Sequence, residues 1–299
     1  MNVTRSLGAV TAGIVAMSLV AAAFPSVASA ANQAGDSCKK AGITLYNGEL
    51  LCTKKGKRLI WVKSQVGITS NANIPKVIQN WGLAVDTYDS GSGMAGVMRI
   101  RGVTPPTFGN AADNAMYRHI FGVYGMDLKG MKEPQIAIIA PLGTPVISMV
   151  DGTVCDLSKV WSNDYSVRVA PIGTPCMIGN WATVLFEHEH LINPTVKVGD
   201  KVKAGQQIGT VSDYNQHWKA KGFGMIEIGV FFVKKGSNKS WHACLGNYLA
   251  PAKRDSMLAV LTSVQMAWMA ELSDPTLYDL GAQNPVVCLT NDDNTIAIP

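Results

Sequence analysis

Hydrophobic and polar residues alternate over short stretches in much of this chain, and glycine, proline and asparagine punctuate the alternation. Val196, Val198, Val202 and Ile208 fall on an alternating pattern with tight turns at Val198-Gly199-Asp200 and Ala204-Gly205. This predicts a small β-hairpin that buries one face. The stretch 141–154 upstream has the same turn-and-strand texture, and 224–232 downstream reads as another strand. Further strand candidates are 136–140, 146–150, 152–155, 166–169, 182–188, 207–211 and 225–233. Several short strands with regular turns and no long amphipathic helix between them predict an antiparallel β fold.

The flanks read differently. In the tail, Met257, Leu261, Val264, Trp268 and Leu272 recur at three- and four-residue spacing, one face of a helix over about four turns. Pro251 precedes it, Asp255 or Ser256 is the expected cap, and the stripe should pack on the β core. Near the start, Asn47-Gly48 lies between 43–46 and Leu50-Leu51, a two-residue hairpin signal. A second turn comes at Lys55-Gly56-Lys57, with a strand over 59–62. The span 65–119 offers strands at 83–88 and 96–100 around a Gly/Ser turn, and Pro105-Pro106 breaks the chain. Gly91, Gly93 and Gly96 spell G-x-G-x-x-G, yet residues 97–101 are strand-like, so no helix N-terminus is there to hold a pyrophosphate.

Composition adds a compartment. Arg5, the apolar run 7–23 and Ala28-Ser29-Ala30 make residues 1–30 a signal peptide with an A-x-A cleavage site. No later stretch approaches the ~20 apolar residues that a spanning helix needs. At 299 residues and 47% hydrophobic, the chain has room for one sizeable core plus an appendage. Its formal charge is +5; without Arg5 the mature part carries 25 Lys and Arg against 21 Asp and Glu, or +4. A mild positive balance suits an anionic cell envelope. The basic residues are spread out with no aromatic-interleaved module, which argues against nucleic acid.

Six cysteines all lie beyond the signal, an even number in an oxidising compartment. Nearest-neighbour pairing is expected: Cys38–Cys52, Cys155–Cys176 and Cys244–Cys288. No pair has C-x-x-C spacing, against a redox site or zinc knuckle. The first pair would staple a unit too small for its own core to outweigh chain entropy. Lys39, Lys40, Lys54, Lys55, Lys57, Arg58 and Lys63 give that unit a solvated basic face, with wall-polymer binding as the alternative.

Five motifs stand in order: Gly125-Met126-Asp127; Gly143-Thr144-Pro145-Val146 with Asp151-Gly152-Thr153-Val154; His190-Leu191; the V-x-x-G-D-x-V-x-x-G-Q-x-I-G run over 196–209; and 223–229. Over about 120–233 this resembles the lysostaphin-type zinc endopeptidases, which cut peptidoglycan cross-links. Lipoyl and biotin carriers share the V-x-x-G-D turn, but no M-K-M lysine is present here. The resemblance implies a mainly β fold: the antiparallel β-sheet core with duplicated hybrid motif, a small disulfide β-hairpin module before it and a C-terminal helix after it. The module also resembles short cysteine units of exported actinobacterial proteins. The resulting organisation is a signal peptide (1–30), a disulfide-stapled β module (31–64), a linker with accessory strands (65–119), an endopeptidase-like β domain (120–235) and a C-terminal helix with a disulfide loop (236–299).

A catalytic zinc needs three protein ligands and an open position for water. Carried over from the family, the ligand positions are Val123, Asp127 and Met225; the assisting positions are His190 and Phe223. Asp127 and His190 alone keep the family's residue types. Valine has no donor, and the methionine thioether is a soft ligand suited to Cu(I). Nothing would then lower the water pKa from ~15.7 towards ~7. The expectation is a pseudoenzyme without a cofactor, secreted or in the cell envelope, that binds peptidoglycan or regulates a wall hydrolase. The alternative is an active zinc metallo-endopeptidase with relocated ligands. His188 and His190, two apart on a strand, would then share a face with Asp127, and His119 or His217 would be a fourth ligand. Asp127 could instead hold a turn through backbone hydrogen bonds. A third class is a structural secreted domain without a ligand. No sorting motif or lipobox cysteine comes after the signal, favouring free or non-covalently held protein.

Overall fold

A computed structural model describes residues 33–39, 44–45, 50–63, 74–128, 131–176, 184–233, 240–289 and 295–297. The signal peptide and the Asn47-Gly48 turn lie outside these residues. The N-terminal module is a three-stranded antiparallel sheet, β1 (Thr44–Leu45), β2 (Leu50–Lys55) and β3 (Arg58–Lys63), in that order. Gly56 turns β2 into β3 with a φ of 62°, a left-handed value that suits glycine. The module has its own small core, Cys52 and Trp61 with Cys38 and Leu59 against them, closed by the expected Cys38–Cys52 disulfide. Lys39, Lys54, Lys55, Lys57 and Arg58 are exposed.

Strands β4 (Met94–Ala95) and β5 (Met98–Arg99) form a hairpin; β5 lies within the strand expected at 96–100, and β4 in the glycine-rich run that predicts a turn. Gly96 has a φ of 60°, and a Cβ there would collide with the Ala84 carbonyl. The strand expected at 83–88 is absent. That stretch makes isolated backbone bonds instead, Val85 N to Leu83 O and Val97 N to Ala84 O, and never enters a ladder. It still buries Leu83, which joins Ile78, Trp81, Met98 and Ile100 in the core shared with the large sheet. Helix α1 (Ala111–Tyr117) comes next, its Asn110 side chain accepting from Asp113 N. The two-residue strands β6 (Asp127–Leu128) and β7 (Met131–Lys132) pair with each other.

The large sheet has ten strands, all antiparallel to their partners: β8 (Ile136–Pro141), β9 (Pro145–Ile147), β10 (Gly152–Lys159), β11 (Tyr165–Pro171), β12 (Leu185–Ile192), β13 (Lys201–Val202), β14 (Gln207–Val211), β15 (Phe223–Val233), β16 (Ser240–Ala243) and β17 (Thr295–Ala297). Helices α2 (Gln216–Lys219) and α3 (Arg254–Glu271) are carried on its connections. The central path runs β13-β10-β11-β12-β15-β16-β17, with β8 also on β15, and β14 on β12 and β9. This is the mainly β, antiparallel architecture that the alternation predicted.

One expected hairpin does not form. The turns at Gly199 and Gly205 are present, with φ of 96° and 85°, but β13 pairs with β10 and β14 pairs with β9 and β12. The segment wraps the DGTV stretch rather than folding on itself: Ala204 N donates to the Asp151 carboxylate and Gly205 N to Ser148 O. Helix α3 buries Met257, Leu261, Val264 and Trp268 of the expected stripe, while Leu272 is its C-cap and half-buried. Its cap differs from expectation. Lys253 is the N-cap without a side-chain bond, while the Ser256 hydroxyl donates back to Lys253 O. The other two disulfides are also those expected, Cys155–Cys176 and Cys244–Cys288. Among the described residues no helix is long and apolar enough to cross a membrane.

Candidate functional site

The site forms at the end of β12, where the ladder to β11 slips between Tyr165 and Val167 and His190 takes a φ of 60°. A left-handed residue breaks the two-residue alternation of a strand. His188 and His190 therefore do not share a face. His188 enters the apolar core: its Nε2 accepts from Met149 N at 3.1 Å and its Nδ1 lies 3.4 Å from Val167 O. Both nitrogens serve the backbone, and burial draws its pKa down to about 4, so the ring is neutral. His190 faces the other side. Its Nδ1 lies 3.0 Å from Asp164 Oδ2 and 3.0 Å from the Ser162 hydroxyl, and its Nε2 lies 3.7 Å from Glu227 Oε2. Its ring stacks on Tyr214 at 3.9 Å, and Trp161, 83% exposed, stands 5.9 Å from both rings.

The charges around this imidazole are sorted by their neighbours. Burial alone would raise Asp164, but bonds from His190, Ser162 and Ser212 hold its carboxyl below the usual range. Burial works against the His190 cation, yet Asp164 and Glu227 raise its pKa. Glu227 sits opposite Glu189 in the β12–β15 register; burial, with Glu133, Glu189 and Glu187 nearby, pushes it up to about 8 against the pull of His190. Burial likewise raises Glu189 and Glu133. Gln135 Nε2 bridges Glu187 and Glu189 at 3.2 Å each. Glu187 is the exception. Its burial is outweighed by His242 Nε2 at 2.7 Å and by Arg168, which hold its pKa at about 2. Arg168 also pairs with Asp156 at 2.6 Å and lies 4.8 Å over the Phe231 ring.

Met225 is fully buried at this spot, its sulfur 3.8 Å from the Tyr214 hydroxyl and its backbone N–H on Ser212 O. The glycine-aspartate segment is elsewhere. Strand β8 runs beside β15, placing Ala137 opposite Glu227 and Ile139 opposite Met225. Phe121 pairs with Ile138 on the far side of β8, so Val123, which is buried, belongs to the next segment out. Asp127 is exposed on β6, 3.3 Å from Lys132 across the hairpin. His119 aims both ring nitrogens at carbonyls, Nδ1 at Ala115 O and Nε2 at Leu277 O, and His217 packs on Phe108.

This donor set does not fit the catalytic zinc that the resemblance implies. Both nitrogens of His190 face carboxyl groups, Glu227 holds a proton near neutral pH, and the strand neighbour offers a thioether. Among the described residues no group of three or more His, Cys, Asp or Glu side chains is arranged to hold a metal ion. Asp164, Tyr214 and Trp161 belong to no motif that the sequence displays, and Glu227 lies within the 223–229 motif without being one of its marked positions. The one signal for them is an acid, Glu227, inside an otherwise apolar strand.

Residues 132–222 match the model of Peptidase family M23. Among solved structures the chain is similar to the catalytic domain of the antimicrobial peptidase lysostaphin from Staphylococcus simulans, with 20% identity, 38% of this chain and 77% of that chain covered, and a TM-score of 0.28. It is also similar to a variant catalytic domain of the prophage-encoded M23 protein EnpA from Enterococcus faecalis, with 22% identity, 48% and 96% covered, and a TM-score of 0.31. A chain of the SpoIIIAH and SpoIIQ complex matches at 18% identity over 50% of this chain and 90% of that one, with a TM-score of 0.27. The chain spans 43% of whole lysostaphin. No curated protein matches. Over residues 132–222, this chain is thus similar to Peptidase family M23.

Proposed function

We propose that this is an exported cell-envelope protein whose M23 domain works by binding peptidoglycan rather than by cutting it. The observation that carries the reading is the surroundings of His190: Asp164 at one ring nitrogen and Glu227 at the other, and Met225 where the family resemblance calls for a second imidazole. Without a metal the face around His190 still offers hydrogen-bonding groups and the exposed Trp161 ring, which supports binding. Three disulfides support an oxidising compartment, and the A-x-A signal supports export. A wall hydrolase bound beside the peptidoglycan is a partner consistent with this role.

The test uses the mature chain, 31–299, mixed with purified sacculi and sedimented. Retention above a control protein, well under one zinc per chain and no soluble muropeptides are expected. About one zinc per chain with chelator-sensitive lysis would replace this reading with an active zinc endopeptidase. The feature favouring that second reading is the Asp164–His190 pair, a competent proton acceptor already oriented. Neither retention nor zinc would leave a structural secreted domain.

A further inference from the structure

Aromatic rings form a continuous row across the face that carries His190. Exposed His217 packs on Phe108 with ring centres 4.4 Å apart, and Phe108 stacks on Tyr117 at 4.8 Å. Tyr117 neighbours Tyr214, which stacks on His190, and Trp161 closes the row. The rings come from four separated parts of the chain: 108–117, the β10–β11 turn, β12 and the segment after β14. A single exposed aromatic means little. Here the exposed indole is the outer member of a built series. Its turn is fixed by Val160 N on Asp164 O and Asn163 N on Val160 O, both 3.0 Å, and by the Ser162 hydroxyl on Asp164 and His190.

We propose that this row is the stacking wall of a glycan site, which takes an uncharged amino-sugar stretch with Trp161 as its platform. The inference rests on the envelope-binding function above and names the ligand class. Sugar rings offer C–H faces to aromatic rings and hydroxyls to carboxyl oxygens, and Glu189 and Glu227 reach the surface beside the row. The floor offers no place for an added peptide strand, because β12 is paired by β11 and β15, and β15 by β12 and β8. With their proton affinity raised by burial, these carboxyls can donate as well as accept, which suits the hydroxyl and acetamido groups of a neutral sugar. A wall already in place binds without an ordering cost.

The test is calorimetric titration of the mature chain with the β-1,4-linked tetramer of N-acetylglucosamine, alongside a free stem peptide. Trp161→Ala should bind the tetramer at least about tenfold more weakly, and Trp161→Phe within about threefold of wild type. Both variants should melt like wild type, since the ring is 83% exposed. No tetramer binding at about 1 mM, or equal binding by Trp161→Ala, overturns the glycan site. If sacculi hold wild type and Trp161→Ala equally, the platform falls while the envelope function stands. If sacculi do not hold wild type at all, it is the envelope function that falls.

Discussion

Glu227 and Arg168 are the two residues whose titration and pairing have measurable consequences. The Glu227 carboxyl, ordinarily near 4.5, is pushed up to about 8 by burial and by its acidic neighbours. The folded protein thus keeps a proton that the unfolded chain has released. That contribution is complete below about pH 4.5 and is lost as pH rises through about 8. His190, also raised, adds a loss of the same sign on the alkaline side of its ordinary 6.5. Asp164 is lowered, so its part is present above 3.8 and does not vary in this window. His188 and His119 are both lowered and act in the opposite sense below about pH 6.5, so the contribution of Glu227 is read as a difference. The stability of wild type relative to Glu227→Gln should fall by on the order of 2–4 kcal/mol between about pH 5 and pH 9 in denaturant titrations. Arg168→Ala removes the main cation from Glu187, whose side chain is 1% exposed, and should cost about 3–5 kcal/mol. The replacement of arginine by lysine should recover only part, since one ammonium cannot span Glu187 and Asp156. His190 and Met225 were legible in the sequence because motif spacing fixes them. Asp164 and Trp161 were not, and the role of Glu227 was not although its motif was, because the β12–β15 register and the slip at Val167 bring these residues together across long sequence distances.

Elements were readable to the extent that their partners lie in their own pattern. Helix α3 announced itself because a period near 3.6 specifies a buried face without naming what covers it. Strand β15 and strand β8 were likewise readable as runs. The V-x-x-G-D-x-V-x-x-G segment gave its turns correctly and its pairing wrongly, since alternation says which face is buried but not which strand lies alongside. Helix α1 is seven residues with a polar capping asparagine and no apolar stripe, too short for periodicity to register. The α3 face supplies its own test. Trp268 is fully buried and its Nε1–H donates to Arg118 O at 2.6 Å, tying the helix to the end of α1. Trp268→Ala should lower stability by about 3–5 kcal/mol in urea unfolding. Trp268→Phe keeps much of the volume but leaves that carbonyl unpaired, so it should cost roughly 1–3 kcal/mol rather than nothing.

At the scale of the molecule, one core joins the 74–108 stretch, the sheet and the tail, while the N-terminal module keeps a separate cluster around Cys52 and Trp61. The three bridges act on different parts of that arrangement. Cys244 and Cys288 are both buried, 44 residues apart, and close the loop that carries α3 against the sheet. A loop of that length gives a chain-entropy contribution of roughly 4 kcal/mol, so Cys244→Ala with Cys288→Ala should lower the main thermal transition substantially. Cys38 and Cys52 are 14 residues apart, in a unit too small to hold itself together. Loss of that bridge should unfold the module and leave the main transition in place, because no buried side chain of the large core belongs to it. Calorimetry on the two double variants distinguishes these outcomes, and sacculus retention measured on the same samples assigns binding to a part. If retention survives loss of the module but not loss of the Cys244–Cys288 bridge, the M23 domain is the binding part. If it tracks the module instead, the exposed cations Lys54, Lys55, Lys57 and Arg58 hold the wall and the face around His190 does not.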